Sequence, residues 1–580
     1  MTAEYPQYSE LHHKLVTHLE KVYPNEDVVV LVQTLIKTMH LDAGYQEPTA
    51  HQNNWDERDI ALITYADTLL EDDKHPLKVL SNFLHAYLKE VVSIVHILPF
   101  FPYSSDDGFS VIDYLAVNES HGDWSDIRAI SKDFKLMSDL VLNHMSSRSW
   151  WFDNYKNGLS PGKGYFFEAD KDLDTTLVVR PRTSPLLNEV ETVDGKRFVW
   201  CTFSPDQVDL NFANPEVLVE FANIIYEYMQ NGIQVFRLDA VAFLWKEPGT
   251  NCIHLQQTHE IIKVLRLLIE HYNPDAIVIT ETNVPNRENL TYFGNGNEAH
   301  MIYNFSLPPL LIYTLITGNC RHLKSWLMSM PPAQNGTTYF NFIASHDGVG
   351  LRPLDGLLNE DEKTCMVETM QRFGAKVSYR RTEEGDDKPY EINISLFDAM
   401  KGNLDGEDAY QIERYICAHT VMLALEGVPA FYIHSLIATE NDYSRVEHTG
   451  NNRSINRSKW DMAALIEALN NKQSHHHQVF SVLLKRIKIR KAQAAFHPNA
   501  TQFTLHFGTE IFAFWRQSLD RQQSIFCINN ISNKPQTIPL IDINLIGTDQ
   551  WSDLISGERY DDLQQVVELK PYASLWLSNR

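Results

Sequence analysis

Eight short runs of apolar and β-branched residues, separated by longer helical stretches, set the rhythm of this chain after about residue 55. They are IALITYAD (60–67), VVSIVHILPF (91–100), FKLMSDLVLNH (134–144), IQVFRLDAV (233–241), AIVITET (276–282), MIYNFSLP (301–308), TTYFNFIASHD (337–347) and VPAFYIHSL (428–436). Runs of this kind read as strands buried on both faces, and such strands need helical crossovers between them. Eight is the number that closes a (β/α)8 barrel, so the expected class is α/β with a TIM barrel at its centre. The intervals after the third and seventh runs are too long for bare crossovers, and they follow strand C-termini, where a barrel keeps its active site. Insertions over the pocket are therefore expected at about 150–205 and 350–415.

The flanks have a different texture. Leu11, Leu15, Leu19 and Val22, then Val28 to Met39, are spaced as on helices, which marks residues 1–54 as a helical extension ahead of a catalytic region at 55–495. Alternating segments such as TQFTLHFG, IFAFWRQS and QSIFCINNI, with turn residues between them, predict a small antiparallel β domain over 496–580. The consecutive residues His475, His476 and His477 cannot share one helix face as metal ligands do, and they are read as a solvated surface.

Charge narrows the partners. The chain's 580 residues carry 50 Lys and Arg against 75 Asp and Glu, a net charge of −25, which repels nucleic-acid phosphates and anionic membranes. No apolar run is long enough for a membrane span, the N-terminal stretch has no secretory h-region, and the six cysteines form no CxxC pair. A soluble cytoplasmic protein with reduced thiols is expected. The acidic surface contains no identifiable interface, so oligomeric state stays open.

Chemistry concentrates at strand ends. Asp106 and Asp107 follow the second run, Asp139 and His144 mark the third, Arg237 and Asp239 end the fourth, Glu281 ends the fifth, and His346 and Asp347 end the seventh. A barrel gathers all of these at one mouth. A lone acid after a strand is commonly a helix N-cap, but a whole set converging on one mouth is not explained that way. Carboxylates there suit glycosyl transfer through an oxocarbenium-like transition state, one attacking, one exchanging a proton and one holding the sugar.

The motifs DLVLNH (139–144), FRLDAV (236–241), ITET (279–282) and FIASHD (342–347), with VDLNFANPEV (208–217), resemble those of glycoside hydrolase family 13, the α-amylase family, in order and spacing. The resemblance implies Asp239 as nucleophile, Glu281 as general acid and base, Asp347 as transition-state stabiliser, Arg237 orienting Asp239, and His144 and His346 on the sugar. Arg237, two residues before Asp239 on the same strand face, is expected to keep it ionised. Glu281 needs a raised pKa.

LITYAD (62–67), HILPFFP (96–102), DDGFSVIDY (106–114), RPR (180–182), TFSPDQVDL (202–210) and NRSINR (452–457) are similar to the sucrose phosphorylase group within that family. That likeness implies Asp106 and Arg457 clamping one glucose, Phe109 and Phe203 walling it, and Gln207 beside it. Free inorganic phosphate then replaces water as the attacking group, and Arg180 and Arg182 are the candidate cations for it. No metal or organic cofactor is expected. Members of the group act on sucrose, sucrose 6-phosphate, glucosylglycerate or glucosylglycerol. Arg352 could serve glycerate, whereas Asp355 and the acids of 380–393, Glu383 among them, would repel it and accept hydrogen bonds from glycerol. The sequence reading therefore favours glucosylglycerol. The first alternative is a glucosylglycerate or sucrose (6-phosphate) phosphorylase; a hydrolase or transglucosylase of the same fold, and a catalytically silent glucoside-binding protein, are the further ones.

Overall fold

The computed structural model describes residues 10–381, 387–543 and 545–580. Its centre is a closed barrel of eight parallel strands: β1 (Ala61–Thr64), β2 (Ile94–Ile97), β3 (Lys135–Val141), β4 (Ile233–Asp239), β5 (Ile277–Thr280), β6 (Met301–Tyr303), β7 (Thr338–Phe342) and β8 (Val428–Tyr432). Each strand pairs with its sequence neighbours, and β8 returns to β1. All eight runs read from the sequence supply one strand each. Except for the first residue of β3 and Gln234 of β4, their side chains are buried, so the strands read as apolar blocks rather than alternations.

Helices wrap the barrel. The one at Pro215–Gln230 begins with Asn214, whose side chain accepts from the Glu216 N–H, and carries Pro215 at its first position, a start signal visible in the sequence. The helix Gln256–Tyr272 follows β4. Two N-terminal helices, Glu10–Val22 and Val28–Thr38, pack on these crossovers, the first on Gln256–Tyr272 and the second on Pro215–Gln230. Leu11, Leu15, Leu19 and Val22 are all buried there, and His18 Nδ1 lies 2.6 Å from Glu260.

Both long intervals hold small substructures. After β3 come a helix (Trp150–Lys156) and an antiparallel hairpin (Leu187–Thr192 with Gly195–Trp200), while Gln207–Asp209 returns to pair with His144–Ser146. After β7 come a helix (Glu360–Arg372) and a three-stranded antiparallel sheet of Val349–Gly350, Lys376–Arg381 and Asp387–Asn393. The C-terminal region forms a six-stranded antiparallel sheet in the order 501–506, 511–517, 524–530, 574–578, 551–553, 559–560.

The histidine run departs from expectation. His475, His476 and His477 open the helix His475–Lys491 and are half-buried rather than solvated. His475 stacks on Phe397, while His476 and His477 each place Nδ1 2.6 Å from a backbone carbonyl, those of Ile437 and Leu469. Three successive residues on one helical turn face three directions, so each found its own packing partner.

Candidate active site

The barrel register builds the site. Asp139 on β3 sits opposite Arg237 on β4, and Arg237 sits opposite Ile279 on β5, two residues before Glu281. Arg237 and Asp239, two apart on one strand, project to the same side. Arg237 Nη1 donates to Asp239 Oδ1 at 2.6 Å and also bonds Asp139, and Nη2 lies 4.0 Å from Glu281 Oε1. Asp139 is in turn held by His96 at 2.7 Å from β2. Beyond Asp239 the chain turns through Ala240 in a left-handed conformation (φ 48), and the Ala240 N–H donates to Glu281 Oε2 at 2.9 Å. The strand end thus fixes both carboxyl groups.

Electrostatics follow from this burial. Desolvation raises the carboxyls of Asp239 and Glu281 above the ordinary range, against the pull of Arg237; the charge of Glu281 adds to the rise on Asp239, and that of Asp347 to the rise on Glu281. Arg237 opposes the rise on Asp239, the direction the sequence reading expected, without cancelling the effect of burial. Two buried acids beside one guanidinium can keep one proton between them. The short charge-assisted bond from Arg237 favours the negative charge on Asp239 and the proton on Glu281. Asp347 differs. Burial works against its ionisation, but Arg453, His346, Arg457 and Arg237 hold it well below the carboxylate range. Burial pushes His346 down to about 3, so this ring is neutral at physiological pH.

One pocket collects most of the predicted residues. Asp106, Phe109, His144, Phe203, Gln207, Arg237, Asp239, Glu281, His346 and Asp347 line it, together with Arg182 and Arg352. Phe109 and His346 stack at 5.0 Å with nearly parallel rings, and His144 Nε2 lies 3.0 Å from the Phe109 carbonyl and 3.1 Å from Gln207 Nε2.

Three predicted residues are placed differently. Arg457 does not face this pocket: its Nη1 donates to Asp107 Oδ2 at 2.6 Å and its Nε to the His346 carbonyl at 2.8 Å, in an adjoining space lined by Tyr65 and Arg445. Arg180 turns back to the Ser184 carbonyl, away from the pocket lining. Asp355 is bound by Lys363 at 3.0 Å in a separate cavity. Glu383 lies outside the described residues.

Other residues were missed. Arg453, the first arginine of NRSINR, donates to Asp347 Oδ1 at 2.5 Å and makes a two-pronged bond to Glu391 at 3.0 and 2.6 Å. Glu391 and Tyr390 both come from the second insertion, and Tyr390 lines the pocket. Phe243 and Asn283, just past β4 and β5, line it too. The signal for Arg453 was its place in a motif already singled out; nothing in the sequence marked Glu391 as its partner. Behind His144, Lys246 bridges Asp209 and Asn143 at 2.8 Å each, without lining the pocket. Among the described residues no three His, Cys, Asp or Glu side chains are placed to hold a metal ion, and no helix is long and apolar enough to cross a membrane.

Comparison with known proteins agrees with this geometry. The profile described as alpha amylase, catalytic domain, matches residues 84–377. The glucosylglycerate phosphorylase of Escherichia coli (strain K12) is 39% identical over 568 residues, covering 97% of this chain and 99% of that protein. The glucosylglycerol phosphorylase of Marinobacter adhaerens is 28% identical, covering 79% of this chain and 92% of that one. The crystal structure of sucrose 6F-phosphate phosphorylase from Thermoanaerobacter thermosaccharolyticum superposes with a TM-score of 0.71 at 25% identity, over 82% of this chain and 94% of that chain. The chain is an enzyme of the alpha-amylase family, in its sucrose phosphorylase-like group.

Proposed function

We propose that the protein is a retaining α-glucoside phosphorylase that converts glucosylglycerate and inorganic phosphate into α-glucose 1-phosphate and glycerate. Asp239 attacks the anomeric carbon while Glu281 gives its proton to the departing oxygen. Glycerate leaves, and a glucosyl ester remains on Asp239. Phosphate then enters, Glu281 takes its proton, and a phosphate oxygen displaces Asp239 from the anomeric carbon. Two inversions amount to retention. Asp347, ionised and held by Arg453, faces the positive charge that develops on the sugar.

The observation that carries the acceptor assignment is the pair of guanidinium groups, Arg182 and Arg352, at the partly exposed rim of the pocket. Arg182 lies against the rings of Phe203 and Tyr390, at 6.0 and 5.7 Å from their centroids. A departing glycerate and an entering phosphate are both oxyanions, and a planar guanidinium suits each in turn. The acids on which the preference for glycerol rested do not support it: Asp355 is occupied by Lys363 in another cavity, and Glu383 lies outside the described residues. The likeness to glucosylglycerate phosphorylases along nearly the whole chain points the same way.

Incubation with each glucoside and phosphate, followed by assay of glucose 1-phosphate, tests the reading. Turnover of glucosylglycerate well above that of glucosylglycerol, sucrose and sucrose 6-phosphate is expected. Preference for glucosylglycerol would return the acceptor to glycerol, and free glucose released at a phosphate-independent rate would identify a hydrolase.

A further inference from the structure

Next to the pocket, and sharing Arg352 and Tyr390 with it, lies a second cavity of about 240 Å³ between the helix Glu360–Arg372 and the sheet of the second insertion. Arg352, Lys363, Arg380 and Lys388 face it, against Asp355 and Glu360. On a chain with a net charge of −25, a cavity with a positive excess reverses the average. Lys363 already binds both acids, Asp355 at 3.0 Å and Glu360 at 2.5 Å. Arg380 and Lys388 are thereby left without an ion-pair partner among the described residues.

The ladder makes this placement costly. Arg380 and Lys388 are direct cross-strand partners in the antiparallel pair of Lys376–Arg381 and Asp387–Asn393, so both side chains leave the same face. Like charges directly opposite each other destabilise a sheet, and an anion between them removes that cost. A free oxyanion held there would lie one guanidinium away from the reaction, because Arg352 borders both spaces.

We propose that this cavity is a loading site for inorganic phosphate: Arg380 and Lys388 collect the anion, and Arg352 passes it to the pocket once the acceptor has left. The inference rests on the reading of the protein as a phosphate-using enzyme. It deepens that reading by assigning the entry of the second substrate to residues that touch neither the sugar nor the reacting carboxyl groups. An enzyme this acidic gains from such a device, since its average field repels phosphate and only a local cationic funnel raises the anion's concentration at the site.

The test compares the full-length enzyme with the double variant R380Q/K388Q and with the charge-conserving K388R. Equilibrium dialysis with labelled inorganic phosphate should count one phosphate fewer per chain in R380Q/K388Q than in the wild type and K388R. Steady-state kinetics should show KM for phosphate raised on the order of 3–10-fold in the double variant, with kcat and the KM for the glucoside unchanged, which also reports that the variant is folded. Equal phosphate counts and equal phosphate KM values in wild type and double variant would overturn the proposal, as would a site that takes D-glycerate but not phosphate. If the wild type shows no phosphate-dependent turnover, the proposed function fails and the dialysis count alone decides whether the cavity holds phosphate.

Discussion

At 2.6 Å from Asp239 and 4.0 Å from Glu281, Arg237 divides the charge unequally between two buried acids. Asp239→Asn should lower kcat by about 10⁴-fold or more, since it removes the nucleophile, while circular dichroism and Tm stay close to the wild type because Asp139 still binds Arg237. The two acids also set a pH profile. Activity needs the singly protonated pair, so kcat/KM should fall on the acid side as the second proton binds and on the alkaline side as the last is lost. Because burial raises Glu281, the alkaline limb should lie above the ordinary carboxylate range, and Glu281→Gln, assayed with a substrate whose leaving group needs no proton, should lack that limb. Arg453 supplies a third test. It depresses Asp347, and a depressed carboxyl contributes stability that is present above its unfolded value of about 3.9 and lost as pH falls through the folded value. Arg453→Ala removes the guanidinium that both Asp347 and Glu391 bind. It should cost about 3–5 kcal/mol in denaturant unfolding at neutral pH and move the acid limb of activity upward. The convergence of Asp239, Glu281 and Asp347 on one pocket was legible because strand-end motifs carry them. The two arginines of NRSINR were not separable by sequence: Arg453 lies within the short 3-10 turn Asn452–Asn456 and Arg457 just after it, and they leave it toward different spaces, Arg453 to Asp347 and Arg457 to Asp107.

Loops after the strands line the pocket, and the segment after β2 is tightly turned. Asp106 (φ 53), Asp107 (φ 47) and Gly108 (φ 113) are three successive residues on the positive-φ side, and a Cβ on Gly108 would lie 2.6 Å from the Pro99 carbonyl oxygen. This turn sends Asp106 into the pocket and Asp107 to Arg457. Asp206, just past the first insertion, locks the same loop, accepting from Ser104 at 2.5 Å and Ser110 at 2.9 Å, and ties it to Ser147 beyond β3 at 2.7 Å. Gly108→Ala should therefore displace Asp106 and lower kcat/KM for the glucoside about 10-fold or more, the loss of one hydrogen bond to a charged acceptor, with hydrolysis of the preformed glucosyl-enzyme less affected. At this scale the eight strands, the N-terminal helices and the two insertions were all readable, because each buries a continuous apolar run or interrupts one. Pairing within the insertions was not. Glu391 meets Arg453 only because the strand Asp387–Asn393 lies in register against Val349–Gly350 and Lys376–Arg381, and register across an 80-residue interval leaves no local signature.

The whole molecule places one opening above one set of carboxylates. Parallel strands closed in sequence order bring Asp239, Glu281 and Asp347 to the same end of the barrel, and the two insertions cover that end with Arg182, Phe203, Tyr390 and Glu391. On the proposed reading, acceptor and phosphate share the rim cations Arg182 and Arg352 in turn. A site used in turn implies that the glucosyl-enzyme is formed from either donor: α-glucose 1-phosphate should glucosylate Asp239 and release phosphate with no glycerate present. Labelled inorganic phosphate should consequently exchange into unlabelled α-glucose 1-phosphate in the absence of any acceptor, with initial-rate plots against glucosylglycerate at fixed phosphate giving parallel lines. Glycerate should inhibit this exchange competitively with phosphate, because both oxyanions need Arg182 and Arg352. Exchange that requires glycerate would mean that both substrates occupy the site together, and would refute the double displacement even if the products were those proposed.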